Sequence, residues 1–89
     1  MNEPSKPKIE FPCDYPIKVM GEAHPEFQQH VLDVMTRHAG DFDPQRVVVR
    51  DSSKGRWQSI TVFITATGEA QLQDIFADLK ASPRVQMVL

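Results

Sequence analysis

Residues 52–64 read SSKGRWQSITVFI, and the register of this stretch decides the fold. A basic residue, a glycine and an aromatic ahead of a β-rich run is how the RNA-reading strand of an RNA-recognition domain begins. With Lys54-Gly55 placed on that pattern, Arg56 and Gln58 fall where stacking rings belong. Ile60, Val62 and Ile64 then turn to the open side of the sheet. Hydrophobic alternation gives the opposite register, with Ile60, Val62, Ile64 and Ala66 on one buried face and Trp57, Ser59, Thr61, Phe63 and Thr65 on the other. A slip of one residue would expose the whole aliphatic row, so the second register is the one expected. SSKG then becomes a polar hairpin turn, with Gly55 supplying a positive φ.

Working outward, DPQRVVVR at 43–50 predicts the strand before this hairpin, β-branched through Val47-Val48-Val49. Earlier in the chain, YPIKVMG at 15–21 alternates, with Ile17 and Val19 inward and Lys18 and Met20 outward, and Gly21 closes that strand. Residues 24–40 form the first helix. His24 stands at its N-cap, Pro25 at its first position, and Gly40 just past its end. Phe27, Val31, Val34, Met35 and His38 recur at helical spacing. After the hairpin, Thr67 is the expected cap of a second helix. Leu72, Ile75, Phe76 and Leu79 make its apolar stripe, and Ser82-Pro83 stops it. RVQMVL at 84–89 is the last strand.

The order β-α-β-β-α-β, with two right-handed crossovers and one hairpin, predicts an α+β ferredoxin-like sandwich. Its four-stranded antiparallel sheet takes the order 4-1-3-2, with both helices on one face. Residues 1–12, with three prolines and little apolar material, read as a flexible leader ahead of a single domain at 13–89. Phe11 is the leader residue placed to dock back on that domain.

The chain of 89 residues carries a net charge of −2, which argues against binding a phosphate backbone. One cysteine, Cys13, excludes an intrachain disulfide and a Cys-x-x-Cys metal or redox site. No apolar run reaches the length of a membrane span, and no signal-peptide core is present, so a cytoplasmic protein is expected.

Familiar uses of this fold make specific demands at the junction of strand one and helix one. Phosphatase chemistry needs an arginine and an anion cradle there, but MGEAHPEF supplies two acids and no arginine. A regulatory amino-acid site of the ACT type needs a close backbone approach, which Gly21 would allow, although the usual acid-x-Pro-Gly opening is replaced by HPEF. His30 and His38 are two helical turns apart, too far to share an ion, so no metal or cofactor is expected. No Ser-His-Asp set or paired carboxylates appear, and no catalytic residue is assigned.

Four segments together resemble the YbeD-like family of small bacterial proteins: EFPCDYPIKVMG at 10–21, RHA at 37–39, SSKGRWQSITVFITAT at 52–67 and VQMVL at 85–89. The resemblance covers nearly all of the chain after the leader. It implies a ferredoxin-like fold similar to ACT domains, a bacterial cytoplasmic protein, and a link to lipoate metabolism. It supplies no functional residue set to carry over, and it singles out the SSKG turn and the stretch ending at Leu89.

The resulting expectation is a non-enzymatic, ACT-like regulatory or protein-interaction domain. The alternative is a weak RNA-binding module on the open sheet face. That face is expected to carry Lys18, Met20, Val48, Trp57, Ser59, Thr61, Phe63, Gln86 and Val88, more apolar than a purely solvated face. Gly21, Lys18, Met20, Trp57 and Phe63, with Lys54 and Arg56 at the hairpin tip, are the candidate ligand or partner residues. A protein partner or a second copy would sit on this face, unless Phe11 folds back across it.

Overall fold

The computed structural model describes residues 10–40 and 42–89. The hairpin built on the opening stretch joins β2 (Val48–Asp51) to β3 (Trp57–Ala66). Its turn is tied by Ser52 N–H donating to the Trp57 carbonyl at 2.8 Å and Gly55 N–H to the Ser52 carbonyl at 2.9 Å. Gly55 has φ 69°, the left-handed conformation anticipated for it. Ile60, Val62, Ile64 and Ala66 are all buried, so β3 takes the hydrophobic register and not that of an RNA-reading strand.

The sheet runs β2-β3-β1-β4, the expected order, with every neighbouring pair antiparallel. β1 (Cys13–Glu22) is longer at both ends than its alternation suggested. Pro16 fits inside it because β4 reaches along β1 only as far as Lys18, which pairs with Leu89 through two backbone hydrogen bonds. Beyond that point one side of β1 has no neighbouring strand among the described residues, and a missing N–H there breaks no ladder bond.

α1 (Pro25–Ala39) starts at His24, whose Nδ1 accepts from the Glu26 N–H at 3.0 Å, and ends at Gly40 with φ 69°. α2 (Glu69–Lys80) is not capped by Thr67: Gly68 holds the N-cap with no side-chain bond. Gln71, in the first turn, accepts instead from the Thr67 N–H at 2.7 Å, so a side chain from inside the helix satisfies the donor before it. Phe27, Val31, Val34 and Met35 of α1 and Leu72, Ile75 and Leu79 of α2 close the core against Ile17, Val19 and the β3 aliphatic row.

Three local expectations change. DPQR does not extend β2. Asp43 accepts from the Gln45 N–H through its side chain and from Arg46 through its carbonyl, which winds 44–46 into a 3₁₀ turn (Pro44–Arg46). β4 (Val85–Val88) is bulged: Met20 opposes Met87, but Gly21 opposes Val85, and Gln86 is the extra residue. Val88 therefore lies opposite Val19 on the helix-covered side and packs on the core, and Met87 replaces it on the open face. Phe11 also packs against the core cluster and does not cross the open face. The rest of the expected leader, 1–9, lies outside the described residues.

Candidate functional site

The junction between β1 and α1, where an ACT-type ligand would sit, is filled by the chain itself. Gly21 is buried, and its φ is not positive. A Cβ at this position would stand 2.6 Å from Cε1 of Phe27 and against the Arg84 carbonyl oxygen. The chain's own close approach at Gly21 is made by Phe27 and Arg84. Arg84 then bridges Glu22 at 2.9 Å and Glu26 at 3.3 Å, and the Ala23 N–H donates to the Arg56 carbonyl at 3.1 Å. The two acids of MGEAHPEF are both occupied by one arginine.

Among the described residues, no helix covers the opposite side of the sheet. Pairing brings Arg50, Ser59, Met20 and Met87 into one row across the open face. Val48, Thr61 and Lys18 form the next, which Leu89 completes by its backbone pairing with Lys18. Trp57 stands opposite Glu22 at the hairpin end. Met87 is 48% exposed, Val48 43% and Trp57 38%, while Met20 is half-buried between its neighbours. A shallow cleft of about 110 Å³ opens beside Met20 and Trp57, edged by Arg50, Asp51, Ser52, Gln58 and Ser59.

Phe63 is on this face as expected, but it is not bare. The Arg46 guanidinium lies 4.4 Å from the ring centroid, and Nη2 of the same group reaches Asp14 Oδ2 at 2.8 Å. The hydrogen bond that Arg46 donates to Asp14 raises the Arg46 pKa above its ordinary value, and the guanidinium, charged in any case, places a cation over the ring. The Val48, Thr61 and Lys18 row separates Phe63 from the Met20 and Met87 row.

Charge on the face is unevenly compensated. Asp14 and Glu22, its carboxylates on β1, are each taken by an arginine. Among the described residues, Lys18 and Arg50 on the face and Lys54 and Arg56 at the turn pair with no carboxylate. Arg50 was not singled out from sequence, although it follows Val48 by two residues and the same alternation places it outward. Met87 had no sequence signal, because a bulge is visible only once two strands are paired.

Other polar side chains hold the fold together. Asp78 on α2 accepts from His38 Nε2 and, at 3.1 Å, from Arg37 of α1, and His38 is the first cause of its lowered pKa. His30 Nε2 donates to the Asp78 and Leu79 carbonyls at the end of α2. Gln28 donates to Gln58, which in turn donates to Asp51. No three potential metal ligands cluster among the described residues, and no helix among them is long and apolar enough to cross a membrane.

Comparison with known proteins agrees with this architecture. The family model described as "Protein of unknown function (DUF493)" matches residues 6–89. The chain is similar to a UPF0250 protein of Pseudomonas paraeruginosa, 57% identical over 84 residues that span 93% of this chain and 90% of the relative. Its fold is similar to the solution structure of a protein from H. pylori, with TM-score 0.78, 17% identity and coverage of 100% and 97% of the two chains. It is also similar to the ACT domain from GTP pyrophosphokinase of Chlorobium tepidum, with TM-score 0.65, 16% identity and coverage of 86% and 97%.

Proposed function

This chain belongs to the DUF493 family, and from that membership and its ACT-like fold we propose that it is a non-catalytic interaction module that binds a protein partner through its open sheet face. The observation that carries this reading is the row containing Met20 and Met87, which no helix among the described residues covers, flanked by exposed Trp57 and Val48. Apolar side chains presented together on a helix-free sheet face favour an interface over a solvated surface. Closure of the β1–α1 junction by Phe27 and Arg84 favours a macromolecular partner over a small ligand at the ACT position. The link to lipoate metabolism implied by the family resemblance is the process in which we would first look for that partner.

The test compares wild-type protein with Met87→Glu, used both as bait in the source cell extract and in sedimentation over a concentration series. The substitution should leave the melting temperature nearly unchanged, since Met87 is outside the core. It should remove a captured partner or a concentration-dependent dimer seen with the wild type. Retention of every association by Met87→Glu would overturn the reading.

A further inference from the structure

We propose that the hairpin end of the open face receives an acidic protein segment bearing one apolar side chain. That side chain enters the cleft beside Met20 and Trp57, and its flanking carboxylates meet Arg50, Lys18, Lys54 and Arg56. The inference rests on the reading of the face as a protein-interaction surface and specifies the chemistry of the partner.

Charge complementarity is the first support. The chain as a whole is negative, at −2, yet Arg50 on the face, Lys54 and Arg56 at the adjoining turn and Lys18 at the centre of the sheet have no carboxylate partner among the described residues. Of the nearby acids, Glu22 is neutralised by Arg84, while Asp51, bonded through Oδ1 to the neutral Gln58 amide at 2.8 Å, keeps its charge. Four cations set against the single Asp51 carboxylate leave this region net positive in a chain of net charge −2. Such a concentration steers an anionic partner to the site.

The cleft is the second support. It has Trp57 and Met20 as its apolar walls and Arg50 at its edge. Its volume of about 110 Å³ has room for one apolar side chain and lies below the range usual for cofactor sites. An apolar anchor in a small pocket surrounded by charge pairs is a common arrangement at protein interfaces.

Single-stranded RNA is also anionic, but the face lacks the platform that RNA needs. Bases stack on bare rings near the centre of a sheet. The centre here is Lys18, Thr61, Ser59 and Met20, and the one ring close to it, Phe63, already lies under Arg46. Trp57 alone, at the margin, makes no stacking row.

The test uses the full chain, ¹⁵N-labelled, titrated with four probes. These are a peptide of glutamates around one central leucine, the same peptide with serine at the centre, a lysine peptide with central leucine, and oligouridine. The glutamate–leucine peptide should shift the Met20, Arg50 and Trp57 amides. Its affinity should fall about tenfold or more between low and moderate salt. The serine-centred peptide should bind several-fold more weakly. Double charge reversal, Arg50→Glu with Lys54→Glu, should abolish the shifts in a spectrum that keeps its native dispersion. No shift with the glutamate–leucine peptide, or equal binding of the lysine peptide, overturns the inference. Equal binding of the serine-centred peptide overturns the role of the cleft, and binding of oligouridine alone assigns the face to nucleic acid. If the acidic peptide fails while Met87→Glu still removes associations, the partner chemistry is wrong and the interaction face stands. If Met87→Glu also removes nothing, both fall.

Discussion

Two glycines meet different demands, and substitution separates them. Gly21 has an ordinary backbone conformation but no room: an added methyl collides with the buried Phe27 ring and the Arg84 carbonyl. Gly55 has ample room but φ 69°. Gly21→Ala should destabilise the domain by roughly 1–3 kcal/mol through overpacking between β1, α1 and the start of β4. Gly55→Ala should cost about 1 kcal/mol through backbone strain at an exposed turn. Urea denaturation of the two variants measures both. Equal and negligible effects would remove the packing account of Gly21. The glycine itself was legible in the sequence as a place of close approach. Its neighbours were not, because Phe27 and Arg84 are brought to it by the helix crossover and by the return of the last strand.

At the scale of elements, the β4 bulge and the α1–α2 clasp each make a measurable difference. Val88 faces the core and Met87 does not, so Val88→Asp should cost roughly 1–3 kcal/mol. Met87→Asp should change stability by about 0.5 kcal/mol or less. Simple alternation from Ile17 and Val19 outward assigns the reverse, because one inserted residue, Gln86, inverts the side on which the strand's end is read. The same local blindness applies to DPQR. Three valines in succession signal a strand, while the Asx turn at Asp43 that delays its start is a hydrogen-bond choice, not a hydrophobic one. The helices were legible nearly to the residue, since Pro25, Gly40 and Ser82-Pro83 act through the backbone alone. Between them, Asp78 accepts from His38 and Arg37, and its pKa is lowered from 3.8. A carboxylate with a depressed folded pKa contributes stability above its unfolded pKa and loses it as pH falls through the folded one. Thermal melts should therefore show Asp78→Asn less stable than wild type at pH 7, with the gap closing as pH drops below about 3.8. A gap independent of pH would mean that the aspartate acts only through packing.

For the whole molecule, topology followed from element order because two crossovers and one short hairpin leave few ways to close a four-stranded sheet. Which face stays open also followed, since the aliphatic rows of β1 and β3 must meet the helices. The composition of the open face was only partly legible: Arg46 reaches over Phe63 from a turn, and Met87 arrives through a bulge. Trp57 was placed there correctly, and its position has a practical consequence. It is the chain's one tryptophan, and it is 38% exposed in the native fold. The native indole is therefore partly shielded and unfolding exposes the rest, so intrinsic emission responds to folding as well as to occupancy, and far-ultraviolet dichroism follows the melt independently of the site. Anything that settles on the hairpin end of the sheet excludes water from the same indole. A blue shift in emission and protection from acrylamide quenching then report occupancy with no label, opposite in direction to the red shift that exposure of the indole on unfolding produces.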